Sequence, residues 1–446
     1  MPTNRYVVLG LANVRSAWFR DVGRWASGAA IPVDFVKCVS VEEVGARLSS
    51  GRSFSAVMFD GAIAGLDRDL IDQVLDTGAA ALIVDDGRAG RDWRGIGATA
   101  VVGHDFDRAE LVDTLGRHAR PIARIGDQPR QQPDTSAAGW CGHLTVVTGV
   151  SGTGASTVAM ALAQGLGSDP RFAGRTLLTD LALHADQAMM HHAGDIVPGL
   201  QEAVDAHRIA SPGPSELRSF VYDTSDRGYH LLLGLRHHRD WTTLRPRALT
   251  ATLDNLRRSY SMVVGDIEAD LEGEDEVGST DIEDRNMLAR TAVRRADLVI
   301  AVGAPTTKGL HGLVRVLHEL LAFGVAPERI LPALNRSGRH PRGRAQASGA
   351  FGELVKPLST ALASPIHLPE PRRLEEAYRD ASPLPRSLCD PVVSAVVALL
   401  DHVDPSRSDP APEPVAILPG ALGHYTDDAT DDDADDGPAF PESEAS

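Results

Sequence analysis

At 446 residues, 43% of them hydrophobic, the chain is long enough for two or three domains with real cores, which excludes a wholly disordered or fibrous polypeptide. The net charge of −17 is local: from Asp401 onward there are thirteen acids and one base (Arg407), so about −12 belongs to the end of the chain and about −5 to the rest. No apolar run approaches ~18 residues, so no transmembrane helix is expected. Met1 to Arg5 leads into a strand-like run without signal-peptide character. Cys38, Cys141 and Cys389 are isolated and odd in number. They give neither a disulfide framework nor a zinc site, and buried thiols in a cytoplasmic protein are the expectation.

Residues 1–120 alternate strand-like segments (6–9, 33–39, 55–60, 80–84, 98–102) with helical ones (14–26, 41–48, 108–117). A βα unit repeated five times predicts a parallel, doubly wound sheet of flavodoxin type. The third strand ends in Asp60. This layout resembles a response-regulator receiver domain, with Asp60 at the phosphoacceptor position. Receivers carry an acidic pair after the first strand, where this chain reads Leu9-Gly10-Leu11, and a lysine after the fifth, where it reads Val102-Gly103-His104-Asp105. A phosphoryl group on Asp60 would find little to stabilise it. The expectation is a docking or dimerising pseudo-receiver. Residues 121–140, polar and punctuated by proline, read as a linker.

A second domain is expected over 141–402. The β-branched run from Leu144 to Val147 predicts a buried strand. It leads into a loop carrying Gly149, Gly152 and Gly154, then a helical stretch from Ala155. Strand, glycine loop and helix make a phosphate cradle, because backbone N–H groups and the helix N-terminus converge on phosphate oxygens. The spacing Gly149-x4-Gly154-x-Ser156 fits the Walker A pattern except that Ala155 stands where lysine belongs. Gly149, Gly152, Thr153, Gly154, Ala155, Ser156 and Thr157 form the expected nucleotide-binding set. Further strands are expected at 176–183 with Asp180, at 229–235, at 261–267 with Asp266, at 297–302, at 329–334 before Asn335, and at 364–367, with helices between them. Ser156 is placed to ligand Mg²⁺, and Asp266, at a strand tip, is the Walker B type acid that would hold that ion's shell. Asp180 is the candidate catalytic acid. The pairs His191-His192 and His237-His238, and the acidic stretch 271–284, are expected to be solvated loops.

The glycine loop, Asp180, Asp266 and Asn335 in this order resemble the MinD/ParA group of P-loop ATPases. The pairing with a receiver-like domain resembles, more narrowly, the CpaE/TadZ proteins of tight-adherence pilus systems. Leu177-Leu-Thr-Asp-Leu-Ala-Leu183, Arg257 to Asp266, Leu334-Asn-Arg336 and Pro369 to Leu384 carry the likeness. The resemblance implies a parallel sheet flanked by helices and a homodimer that binds ATP and Mg²⁺. It also implies a base-contacting Asn335 and recruitment to pilus, secretion or division machinery, with peripheral membrane association. The group's K-G-G-x-G-K-[ST] motif aligns with Val150-Ser-Gly-Thr-Gly-Ala-Ser156, so both lysines are gone. Its D-x-D reads Asp180-Leu-Ala182, so the second acid is gone too.

Phosphoryl transfer depends on positioning and on neutralising the γ-phosphate, so these three losses predict a pseudo-ATPase. The expected role is that of a spatial regulator or assembly factor of a pilus or septum-site system. The alternatives are a true ATP-hydrolysing switch, with Lys308 or a partner's arginine supplying the cation, and a response-regulator-like signalling protein. The basic stretch from Arg336 to Arg344 lacks interleaved aromatics and is expected to be a solvated loop, so specific nucleic-acid binding is not expected. Residues 403–446 are expected to be a disordered acidic tail, with 414–422 as its apolar island.

Overall fold

Five parallel strands form the first sheet of the computed structural model: β1 (Tyr6–Leu11), β2 (Val33–Cys38), β3 (Ala56–Asp60), β4 (Ala80–Asp85) and β5 (Ala100–Gly103). Their order is β2-β1-β3-β4-β5, the flavodoxin-like arrangement. The structure describes residues 5–403 except 14–15, 29, 50–51, 89, 123–139, 275–279, 360 and 372. Most of the linker expected at 121–140, and the tail expected after Val403 with its apolar island, lie outside the described residues.

The strands are apolar on both faces, and each face is covered. Helices α1 (Ala17–Ser27) and α4 (Arg108–His118) close over Val8, Met58 and Leu82. Helices α2 (Val41–Leu48) and α3 (Arg68–Asp76) close over Leu9, Val57, Phe59 and Ile83. The fivefold βα repeat is corrected at one step. Between β4 and β5 the chain makes a turn over 93–97 and no helix. Asp92 Oδ1 accepts the Gly95 N–H at 3.0 Å, and Gly97 takes φ +108°, so local polar chemistry closes the turn. Trp93 and Ile96 plug the core from it, 2% and 0% exposed.

The second sheet has eight strands: β6 (His143–Gly149), β7 (Thr176–Asp180), β8 (Tyr222–Thr224), β9 (Tyr229–Leu232), β10 (Met262–Asp266), β11 (Leu298–Gly303), β12 (Ile330–Ser337) and β13 (Ile366–Pro369). Their order is β13-β12-β11-β6-β10-β7-β9-β8, parallel throughout except for the edge strand β8, which runs antiparallel to β9. That short hairpin edge was absent from the expected strands. Helix α5 (Ala155–Gly167) follows β6 and is buried along almost its whole length. Its small residues let it lie close to its neighbours: a Cβ on Gly167 would sit 2.2 Å from the Gly228 carbonyl, and one on Gly165 2.5 Å from Val393. Val393 belongs to the long last helix, packed along α5.

Between β7 and β10 the chain forms α6 (Gln187–Met190), α7 (Leu200–Ile209), α8 (Pro214–Ser219) and α9 (Pro246–Ser259). Then follow α10 (Thr280–Arg285), α11 (Met287–Arg295), α12 (Thr307–Ala322), α13 (Pro341–Val355), α14 (Leu374–Arg379) and α15 (Arg386–Val403). Part of the acidic stretch 271–284 is therefore helical. The basic stretch expected as a loop is also corrected. Arg336 lies in the end of β12, and Arg342 and Arg344 lie in the first turn of α13, where Pro341 suits a helix start.

Helix α3 of the first sheet abuts α7 and α9 of the second. Arg68 donates through Nε to the His207 carbonyl at 2.9 Å and through one terminal nitrogen to the Gly95 carbonyl at 3.0 Å and Ser211 Oγ at 3.1 Å. Arg247, at the start of α9, pairs with Asp76 and donates its backbone N–H to Asp69 at 3.3 Å. Cys38 and Cys389 are buried, Cys141 is partly exposed, and all three are free thiols.

Candidate functional site

The glycine loop leaves β6 at the centre of the eight-stranded sheet and turns into α5. Gly149 must be glycine, since a Cβ there would lie 2.6 Å from the Val302 carbonyl and 2.7 Å from Thr153 Oγ1. Gly152 (φ +82°) and Gly154 (φ +84°) take left-handed conformations that bend the loop under the helix. The turn is closed by Thr153, whose N–H and Oγ1 both donate to the Val150 carbonyl, at 3.1 and 2.7 Å. The first intrahelical bond runs from the Val158 N–H to the Gly154 carbonyl. The N–H groups of Ala155, Ser156 and Thr157 therefore have no acceptor within the helix. A Cβ on Gly152 would meet nothing within 4 Å, so this side of the cradle is open to a ligand.

Asn335 comes to the same place from the end of β12. It is 4% exposed, and its Nδ2 donates to the Thr153 carbonyl at 2.9 Å while its Oδ1 accepts the Arg336 N–H at 2.9 Å. In this arrangement Asn335 braces the glycine loop. The next residue, Arg336, is exposed and has φ +56°, a left-handed conformation uncommon for a side-chain-bearing residue. Thr157 Oγ1 lies 2.5 Å from the hydroxyl of Tyr378 on α14, which ties the segment after the last strand to the loop helix. Lys308 is exposed in the first turn of α12; on that helix Gly312 lies against Val150, where an added Cβ would stand 3.1 Å from the valine side chain.

Asp180 and Asp266 end adjacent strands and stand directly opposite in register. They are 0% and 2% exposed. Between them and the loop helix lies Gln187, which the sequence reading did not single out. Its backbone N–H donates to Asp180 Oδ2 at 3.0 Å. Its Nε2 donates to Asp266 Oδ2 at 2.7 Å and to the Ser156 carbonyl at 3.1 Å. Asp180 Oδ1 takes the Ala182 N–H at 3.2 Å. Burial pushes the Asp180 carboxyl well up, reinforced by the Asp266 charge. Burial also raises Asp266, against the opposing hydrogen bond from Gln187.

The pair His191-His192 splits. His192 is exposed, but His191 is 6% exposed and is no solvated loop residue. Its Nδ1 bonds the Gln187 carbonyl at 2.7 Å and its Nε2 the Tyr229 hydroxyl at 2.6 Å. Burial pushes its pKa down to about 4, so it is neutral near pH 7. His237 and His238 are both exposed.

A Mg²⁺ ion asks for oxygen donors in a near-octahedral shell, several of them waters. Here the amide N–H of Gln187, a positive dipole end, points at Asp266 Oδ2, where a cation would have to approach. Both oxygens of Asp180 are taken by backbone N–H groups. The donor set as arranged does not fit the ion.

Asp60 lies apart from this site, in the first sheet. Its Oδ2 accepts the indole N–H of Trp18 at 3.1 Å and its Oδ1 the Ala62 N–H at 3.0 Å. Leu9 and Leu11, at the positions of a receiver's acids, are core residues, 0% and 1% exposed.

No family model matches the chain, and no curated protein does. Solved structures do match. A ParA family ATPase from Chlorobium tepidum is 16% identical with a TM-score of 0.47, over 57% of this chain and 98% of that one. The septum site-determining protein MinD from Pyrococcus horikoshii, complexed with Mg-ADP, is 20% identical with a TM-score of 0.42, over 59% and 96%. The cell division ATPase MinD from Pyrococcus furiosus is 19% identical with a TM-score of 0.42, over 59% and 99%. Among the described residues, no helix is long and apolar enough to cross a membrane.

Proposed function

We infer that this chain is a spatial regulator or assembly factor of MinD/ParA type, which holds a nucleotide as a structural ligand and does not turn it over at a useful rate. One observation carries this reading. The backbone cradle of Gly152, Gly154 and the first turn of α5 is intact and open, while Val150, Ala155 and Ala182 stand where the reaction needs two cations and an acid. Phosphates would be met by the N–H groups of Gly154, Ala155, Ser156 and Thr157 and by the helix dipole. Asn335 would brace the loop, with the base beside it. Losing one transition-state contact typically costs ~10²-fold, so three losses on one step support binding without catalysis.

By the same inference the chain acts as a homodimer on pilus, secretion or division machinery. The flavodoxin-order sheet would serve as a docking unit joined firmly through α3, with recruitment to a pole, a septum or the membrane face. Phosphate release tests the central part. Purified protein incubated with ATP and Mg²⁺ should return bound nucleotide as ATP. Steady release abolished by Lys308→Ala would favour the hydrolysing switch instead, because Lys308 stands on the helix that lies against Val150.

A further inference from the structure

We propose that Gln187 is a built-in substitute for the metal, so that this site takes its nucleotide without Mg²⁺; the nucleotide part rests on the function inferred above.

The case begins with the register of the sheet. Pairing β7 with β10 sets Asp180 opposite Asp266, and two buried carboxylates at neighbouring strand tips repel unless something positive or a proton lies between them. In this chain one residue donates to both acids. The Gln187 backbone N–H serves Asp180, and its side-chain amide serves Asp266. The second hydrogen of that amide reaches the Ser156 carbonyl in the first turn of the loop helix. A single glutamine, 0% exposed, thus links both acids to the phosphate-binding helix, which is the mechanical task a bound cation performs between a Walker acid and the loop.

The contact is a donor contact. Nε2 makes two hydrogen bonds, while Oε1 is buried and has no partner. The amide is therefore held through its N–H groups, and a cation reaching Asp266 Oδ2 would have to displace the one donated there. Gln187 is fixed from behind as well, since its carbonyl accepts from His191, which is itself locked to Tyr229. An amide brings no net charge. The phosphates would then be neutralised by backbone N–H groups alone, which suits a ligand that is held and not cleaved.

Two titrations on the purified chain decide this. ATP is titrated by calorimetry in excess Mg²⁺ and in EDTA, against wild type and Gln187→Ala. In parallel Mn²⁺ alone is titrated by electron paramagnetic resonance against wild type and Gln187→Glu, a nearly isosteric change that removes the donor and adds a carboxylate. The expected result is wild-type ATP affinity equal within about twofold in both buffers, a Mg²⁺ dependence of about tenfold or more in Gln187→Ala, and Mn²⁺ binding gained only in Gln187→Glu. A wild-type protein that loses about tenfold in EDTA overturns the proposal while leaving the nucleotide reading intact. Failure to bind ATP in either buffer overturns the nucleotide reading instead. The manganese arm then still judges Gln187, because Mn²⁺ bound by wild type as tightly as by Gln187→Glu would refute its role.

Discussion

The indole N–H of Trp18 is spent on Asp60, donating to Oδ2 at 3.1 Å from a ring that is 4% exposed. A neutral donor from the first helix thus occupies one oxygen of this carboxylate. Incubation with acetyl phosphate and Mg²⁺ should give no phosphoryl adduct on Asp60 by intact-mass measurement. Trp18→Phe should cost about 2–3 kcal/mol in chemical denaturation, because the hydrogen bond to Asp60 is lost and the smaller ring leaves part of the buried indole's space empty. An adduct in wild type would return the signalling reading to the first sheet.

Arg68 joins the two sheets by serving acceptors on both sides of the joint: Gly95 on one, His207 and Ser211 on the other. It is half-buried, and burial lowers its pKa. Arg68→Ala should destabilise by about 1–2 kcal/mol, since the His207 carbonyl loses its arginine donor while Gly95 keeps the Ser211 hydroxyl. Urea unfolding should then separate into two transitions, where wild type shows one. A single unshifted transition would mean that the joint carries no stability.

Acids on α3 give that joint a pH dependence. Asp72 is pushed up to about 6, chiefly by burial, with Arg247 and Arg68 pulling the other way. In the unfolded chain an Asp titrates near 3.9. The folded state therefore binds the proton more tightly, and the stability it brings is present below about pH 4 and lost as pH rises through 6. Asp69 is raised for the same first cause. Asp72→Asn should match wild type in melting temperature near pH 4 and exceed it increasingly up to pH 7. A difference that does not change with pH would contradict the assignment.

The two left-handed loop glycines should differ in tolerance. A Cβ on Gly154 would stand 2.5 Å from Asn335 Nδ2 and disturb its bond to Thr153, whereas one on Gly152 meets open space. Both substitutions carry the cost of φ > 0, about 1–2 kcal/mol. Gly154→Ala should therefore be the more damaging by about 1 kcal/mol in denaturant unfolding. The reverse order would mean that Asn335 does not brace the loop.

Most of the strands were legible in the sequence, because runs such as 144–147 and 262–264 are apolar, β-branched and bounded by glycine or acid. The loop was legible too, since its glycines have fixed spacing. Helix α7 carries a readable signal that was passed over: Leu200, Ala203, Val204 and His207 recur at helical spacing and are all buried. Gln187 and His191 were not readable. Their roles depend on Asp266 and Tyr229, 79 and 38 residues away, and only the strand order brings those partners together. The missing helix between β4 and β5 is intermediate: Asp92, Gly95 and Gly97 are turn residues, but the repeat around them suggested another helix.

The most direct measurement is a calorimetric titration of ATP into the purified 446-residue chain, beside Gly152→Asp. That substitution places a carboxylate in the open cradle at a φ that aspartate tolerates better than most residues. The account predicts saturable binding to wild type that the variant abolishes. Equal binding by both proteins, or no binding by wild type at millimolar ATP, would contradict it.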